Sequence, residues 1–248
     1  MTWFGHDGPS LAGELGLPRV EAYAALASTM DEAHRLAAEG APAGTMVLAE
    51  AQTRGRGREG RRWMSRPGAG LWVTVIERPS DAEAVAALSL RVGLALAPVL
   101  ERWSEGAVSL KWPNDLFVGE GKLAGVLVEA RWRGDRPDWV AVGVGVNLVA
   151  PEEVAVPTAH LGPVAPVELL RATSAAIRGA AAAVGPLTPR ERDTFTARDL
   201  AAGRAIVEPV PGLARGIAAS GALLVETAAG LSAHASGSLI FASIEEER

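Results

Sequence analysis

Cysteine is absent from this 248-residue chain and lysine nearly so. Without a thiol there is no disulfide, no zinc–thiolate centre and no cysteine nucleophile, which suits a reducing compartment. No stretch of about 18 apolar residues runs uninterrupted, and the N-terminus carries no basic head followed by an apolar run, so neither a membrane span nor a secretion signal is expected. A soluble cytoplasmic protein is the expectation. An excess of positive charge is missing too. With a net charge of −5 and a pI near 5.5, nucleic acid is an unsuitable general partner, and any anion site must be local. The hydrophobic fraction of 48% is enough for a sizeable core.

Arginine supplies 22 of the 24 basic residues, and the two lysines, Lys111 and Lys122, both stand in the stretch SLKWPNDLFVGEGKLAG, residues 109–125. A biased base composition explains why lysine is missing elsewhere but not why these two are kept. An ammonium is a compact, rotatable point charge that can follow a moving oxyanion, whereas a guanidinium is a rigid planar fork. Upstream, six arginines at positions 54, 56, 58, 61, 62 and 66 alternate with glycines. In an acidic protein such a cluster repels itself unless an anion compensates it. Guanidinium groups on a glycine-rich backbone make a lid suited to phosphate or carboxylate.

Two phosphate-binding signatures are excluded here. Residues 55–60, GRGREG, match the letters of the dinucleotide fingerprint, but Pro67, Gly68 and Gly70 forbid the helix that must open on its last glycine. Lys122 is not a P-loop lysine, because Leu116 and Leu123 fill the places of a required glycine and hydroxyl.

The spacing of apolar residues predicts helices over 29–39, 82–103, 166–184 and 189–202, the first capped by Thr29 with Glu32 and ended by Gly40. It predicts strands over 45–52, 70–78, 108–112, 116–119, 122–130 and 138–148. Beyond Gly203 the texture changes to short strands at 204–209, 213–219, 222–228 and 236–241, separated by glycine-bearing turns. The expected class is α+β, with a boundary between residues 1–202 and 203–248. Gly143 and Gly145, inside a strand, are read either as strand packing or as marking close approach by a ligand.

Taken in order and spacing, GRGREGRRW, KWPNDL, GKLAGVLVE and GVGVNL resemble the biotin protein ligases, from about Ser28 to the C-terminus. The resemblance implies a mixed β-sheet with flanking helices, like that of class II synthetases, followed by a small C-terminal β-barrel. It implies synthesis of biotinyl-5′-AMP from biotin and ATP with Mg2+, then transfer of biotin to a lysine of a biotin carboxyl carrier domain. By resemblance, Ser28, Thr29, Gln52, Gly55, Arg56, Trp63, Lys122, Gly125 and Gly143 line the biotin site. Arg58, Arg61, Lys111, Asn114 and Asn147 serve ATP and the adenylate, and Asp115 faces the metal or the attacking amine. The catalytic set is then Lys122, Arg58, Lys111 and Asp115.

Two departures stand out: Met30 where the family usually has asparagine, and Arg54 where a small residue is usual. Only some 27 residues precede the first motif, too few for a helix-turn-helix unit, so DNA binding is not expected. A lipoate or octanoate ligase or transferase and a non-catalytic biotin sensor are the alternative readings.

Overall fold

The computed structural model describes residues 2–150 and 157–242. A short hairpin, β1 (Thr2–Trp3) and β2 (His6–Asp7), leads into α1 (Gly8–Leu15), β3 (Val20–Leu26), α2 (Thr29–Ala38), β4 (Thr45–Gln52), β5 (Gly70–Glu77), α3 (Ala82–Ala86) and α4 (Leu88–Leu100). Next come β6 (Val108–Lys111), β7 (Asp115–Val118), β8 (Gly121–Arg133), β9 (Arg136–Asn147), α5 (Pro166–Ala181) and α6 (Pro189–Thr196). The last five strands are β10 (Ala205–Glu208), β11 (Gly212–Ile217), β12 (Leu223–Thr227), β13 (Gly230–His234) and β14 (Ile240–Phe241).

Seven strands form a mixed sheet in the order β3-β4-β5-β9-β8-β7-β6, with β3 and β4 parallel and every other pair antiparallel. Side chains alternate across a sheet, so each strand feeds two layers. Met46, Leu48, Val73, Val75, Val142, Val144 and Val146 point into the large core beneath α4 and α5, with Leu96, Leu100, Leu169 and Ile177. Val47, Ile76 and Ala141 point the other way and pack under α2 against Met30, Ala33 and Leu36. Since α2 covers only one end of that second face, the rest is open to a ligand.

The remaining strands make an antiparallel sheet in the order β13-β12-β11-β10-β14, the small C-terminal β unit. It is tied to the main sheet at the β6–β7 turn, where the buried indole of Trp112 donates to the carbonyl of Gly221 at 3.0 Å. Residues 198–200 bond along β6, Leu110 N–H to the Arg198 carbonyl at 2.7 Å and Leu200 N–H to the Leu110 carbonyl at 2.9 Å. No helix among the described residues is long and apolar enough to cross a membrane.

Several local expectations need correcting. The helix expected over 82–103 is broken at Ala87, which is fully buried with Gly221 packed beside it. The helix expected over 189–202 ends at Thr196, because the chain then leaves to pair with β6. The Thr29–Glu32 capping box does not form. Ser28 is the N-cap residue of α2, Thr29 is its first helical residue, and Glu32 instead accepts from Tyr23 and Arg35. The elements before Ser28, among them the seven-residue β3, and strand β13 were not anticipated.

Candidate active site

Three rows of facing residues run across the open face. Trp72, Gly145, Gly125 and Asp115 are register partners along β5, β9, β8 and β7; Thr74, Gly143 and Leu127 form the next row, and Ile76, Ala141 and Glu129 the third. The glycines cut a trough into the sheet where side chains would otherwise stand. A Cβ on Gly145 would lie 2.7 Å from the indole of Trp63, one on Gly125 would lie 2.9 Å from it, and one on Gly143 would lie 2.9 Å from Met30 Cε. The G-x-G of β9 is therefore steric: both glycines face the trough while Val144 and Val146 fill the core behind.

Residues 52–65 fold back as a flap over this trough. Its arms are joined by Gln52 N–H to Ser65 carbonyl at 3.0 Å, Trp63 N–H to Gly55 carbonyl at 2.9 Å and Gly57 N–H to Arg61 carbonyl at 2.8 Å. Only glycine fits at 55, since a Cβ there would meet the Trp63 carbonyl at 2.4 Å. At the tip, Glu59 and Gly60 take left-handed φ of 57° and 72° in a single turn, which no helix follows, as expected. Trp63 then lies across Gly125 and Gly145 and closes a cavity of about 300 Å3.

One end of the cavity is polar and tightly networked. Gln52 Oε1 accepts from the Thr29 N–H at 2.8 Å and the Thr29 hydroxyl at 3.1 Å; Gln52 Nε2 donates to Ser65 Oγ at 2.8 Å, and Thr74 Oγ1 donates to Thr29 Oγ1 at 2.9 Å. Gln52 thus does for α2 what an N-cap side chain would. This leaves the Ser28 hydroxyl without a partner among the described residues although Ser28 is 1% exposed, and the indole N–H of Trp72, at 2% exposure, is likewise unpaired among them. Buried polar groups of this kind cost about 1–3 kcal/mol each until something satisfies them. Both line the cavity.

The other end is cationic. Arg58, Arg61, Arg62 and Lys122 line it, and Asp115 is the one carboxylate among the described lining residues. Lys122 Nζ sits 2.7 Å from Asp115 Oδ1 and 5.0 Å from the centre of the Trp63 ring. Among the described residues, Arg58 has only a distant ion-pair partner, Glu59 at 4.0 Å. Arg61 reaches Ser238 of the C-terminal unit at 3.1 Å, and Ser238 donates in turn to Glu59 at 3.1 Å, so the flap tip rests on that unit.

The structure gathers most of the residues singled out from sequence. Ser28, Thr29, Gln52, Arg56, Arg58, Arg61, Trp63, Asn114, Asp115, Lys122, Gly125, Gly143 and Asn147 all line the one cavity. Gly55 does not; it sits where the flap's arms cross. Lys111 also lies outside the lining. Its ammonium is partly buried near the C-terminal unit, 5.1 Å from the centre of the Phe241 ring and 5.7 Å from that of Phe117. Burial holds its pKa below the usual lysine value, opposed by Asp115 and reinforced by Lys122, Arg204 and Arg61.

Arg56 is already engaged: its terminal nitrogens hold Asp31 at 2.8 Å and Glu129 at 2.7 Å. Asn114 and Asn147 spend their amide N–H groups on backbone, Asn114 on the Val126 carbonyl at 2.7 Å and Asn147 on the Lys122 and Ala159 carbonyls at 3.1 Å each, leaving their oxygens as acceptors. Trp72, Thr74, Met64 and Leu127 line the cavity without having been singled out. The period-2 alternation of β5 would have found the first two once its register against Gly143 and Gly145 was known.

The model of the Biotin/lipoate A/B protein ligase family matches residues 24–147, half of the chain. The bifunctional ligase/repressor BirA of Bacillus subtilis is 38% identical over 124 residues, 50% of this chain and 38% of that protein. The biotin--[acetyl-CoA-carboxylase] ligase of Paracoccus denitrificans is 40% identical over 140 residues, 55% of this chain and 58% of that one. Against these curated relatives the match spans only about two fifths to three fifths of their length. Among solved structures, biotin protein ligase from Aquifex aeolicus in complex with biotin and ATP superposes with a TM-score of 0.73 at 27% identity, covering 89% of this chain and 97% of that one.

Proposed function

This chain belongs to the biotin/lipoate A/B protein ligase family, and on that premise we propose that it activates biotin with ATP and passes it to a lysine of a biotin carboxyl carrier domain. The observation that carries the choice of acid is the polar end of the cavity. A ureido ring needs donors and acceptors around it, which Ser28, Thr29, Gln52 and the Trp72 indole supply; a dithiolane ring would leave them unpaired, and sites built for hydrogen bonds discriminate strongly against analogues that lack them. Trp63, seated on Gly125 and Gly145, walls one side of the ring, and Gly143 keeps the floor beside Met30 low.

The acid's carboxylate then points to the cationic end. Its oxygen attacks the α-phosphorus of ATP, the bond to the β-phosphate oxygen breaks, and pyrophosphate leaves with that electron pair, giving biotinyl-5′-AMP. Lys122, which lines the cationic end, would neutralise the charge on the carboxylate and α-phosphate oxygens, a role in which one fixed charge donor is worth about 10²–10³ in rate. Arg58, which holds Glu59 only loosely at 4.0 Å, and Arg61 take phosphate oxygens. The amide oxygens of Asn114 and Asn147 face the nucleotide. Lys111 reaches the outer phosphates by swinging off the Phe241 ring, its cost of burial relieved by the anion.

Asp115 fits Mg2+ as a single hard carboxylate beside a polyphosphate, the usual way that ion is held, and no cluster of three or more acids or histidines exists among the described residues. The ion would screen phosphate charge there. In the second half, the carrier's amine must lose a proton before it attacks the acyl carbon and AMP departs. Asp115, released from Lys122 as charge redistributes, is placed to orient or accept it. Closure of Trp63 keeps water from the mixed anhydride in the interval. Residues 203–248 act as the accessory unit that seats the flap tip and shelters Lys111, and the cysteine-free chain works in the cytoplasm.

Exchange of labelled pyrophosphate into ATP tests the first half. Biotin should support it, lipoate should not, and Lys122→Ala should lower it at least a hundredfold; exchange supported by lipoate would refute the choice of acid.

A further inference from the structure

Of the flap's arginines from 54 to 62, Arg56 is the one ion-paired to carboxylates of the body, among the described residues. Its partners come from two different elements. Asp31, in the first turn of α2, takes Nη1 at 2.8 Å, and Glu129, on β8 in the row next to Leu127, takes Nη2 at 2.7 Å. Glu129 is itself held. Its second oxygen accepts from His34 Nε2 at 3.1 Å, and His34 Nδ1 accepts from the Trp139 indole at 3.0 Å, which fixes the imidazole tautomer. The His34 and Arg56 contacts keep the Glu129 carboxyl below the usual carboxylate range, so it is charged at neutral pH. Arg56 also pairs across the flap with Arg62, so fixing one arm fixes both.

We propose that Asp31 and Glu129 are positioning residues that hold the flap shut through Arg56, setting how long the cavity stays closed over its contents. Neither touches the cavity: both act on the flap from outside, on the edge away from Lys122. The flap root is pinned by backbone bonds from Thr53 and Arg54, and its tip rests on Ser238, so the Arg56 clamp is the ionic fixing point between them. For turnover, the consequence rests on the ligase reading: a flap that opens too readily loses the reactive adenylate to water before the carrier docks.

The flap reports on its own opening. Its arginines are trypsin sites, protected while the arms lie against the body. Limited trypsin digestion of the unliganded protein, followed by mass spectrometry of cleavage within 54–66, should show Asp31→Asn/Glu129→Gln cut about tenfold faster than wild type at an unchanged melting temperature. That factor is expected when two partly exposed ion pairs are lost and cleavage follows the open population. Glu129→Gln should add nothing in an Arg56→Gln background. Equal cleavage of variant and wild type, or an undiminished effect of Glu129→Gln without Arg56, would overturn the clamp. A separate arm measures the fraction of biotin adenylate hydrolysed rather than transferred, which should rise in the double variant. This arm alone depends on the proposed reaction, so its failure beside a positive digestion result would count against the ligase reading and not against the clamp.

Discussion

Adding one methyl group at Gly145 separates closure of the flap from stability of the fold. The position lies in mid-strand with no positive φ, so alanine costs nothing in backbone conformation. Its Cβ, however, would stand 2.7 Å from Cε2 and Nε1 of Trp63 and 3.0 Å from Cζ2, where ordinary contact needs close to 4 Å. The sheet cannot yield, because Val144 and Val146 are locked in the core behind it. The indole must therefore rise by about 1 Å. Overpacking of this kind costs about 1–3 kcal/mol, and here the cost falls on the closed flap alone. At about 1.4 kcal/mol per factor of ten, closure becomes roughly 5- to 150-fold less favourable. The melting temperature should stay within a degree or two, because the flap can lift away and leave the core as it was. Steady-state kinetics of carrier biotinylation, read alongside the melting curve, should show kcat/KM down by that factor. Wild-type kinetics in Gly145→Ala would refute the claim that Trp63 seats on the glycines, and a large fall in melting temperature would mean that Trp63 belongs to the core.

Two further substitutions probe the scaffold. Burial raises the pKa of Asp199, beside β6, from 3.8 to about 6, with only the Ala201 N–H opposing. Its relative stability is therefore full below about pH 3.8 and is lost as pH rises through about 6. Asp199→Asn keeps an acceptor for Ala201 and should add about 1–3 kcal/mol at pH 8 but nothing at pH 4 in denaturant titrations; an equal gain at both would refute the assigned cause. Gly179, within α5, has open space where a Cβ would stand, so Gly179→Ala should raise the melting temperature by about 1–4 °C through helix propensity, and a fall would show an unrecognised contact.

Much of this was readable from the chain. The alternation of Val and Gly along 143–147 announced a strand with a bare face, and the clustering of the two lysines pointed to one region. What the sequence hid was connection at a distance. Thr29 and Glu32 have the spacing of a capping box, but the side chain of Gln52, 23 residues away, takes the first helical N–H. The ion pairs of Arg56 with Asp31 and Glu129 were not readable, because those two carboxylates carry no motif of their own. Lys111 and Lys122 both stand near the KWPND turn and share the face of the sheet that carries Asp115, but Lys111 is on the edge strand β6, beside the C-terminal unit, and Lys122 is two strands further in on β8. Lys122 enters the cavity and Lys111 goes to Phe241. Short polar strands such as β13 leave no period to read, because only their neighbours hold them in place.

Transfer to an acceptor tests the central claim most directly. The protein is incubated with ATP, Mg2+ and a biotin carboxyl carrier domain, with biotin in one series and lipoate in another, and the carrier is then mapped by mass spectrometry. The account predicts one biotinylated lysine, no lipoylation, dependence on ATP, and loss of the product in Lys122→Ala at an unchanged melting temperature. An unmodified carrier after incubation with biotin, or one that takes lipoate in its place, would contradict it.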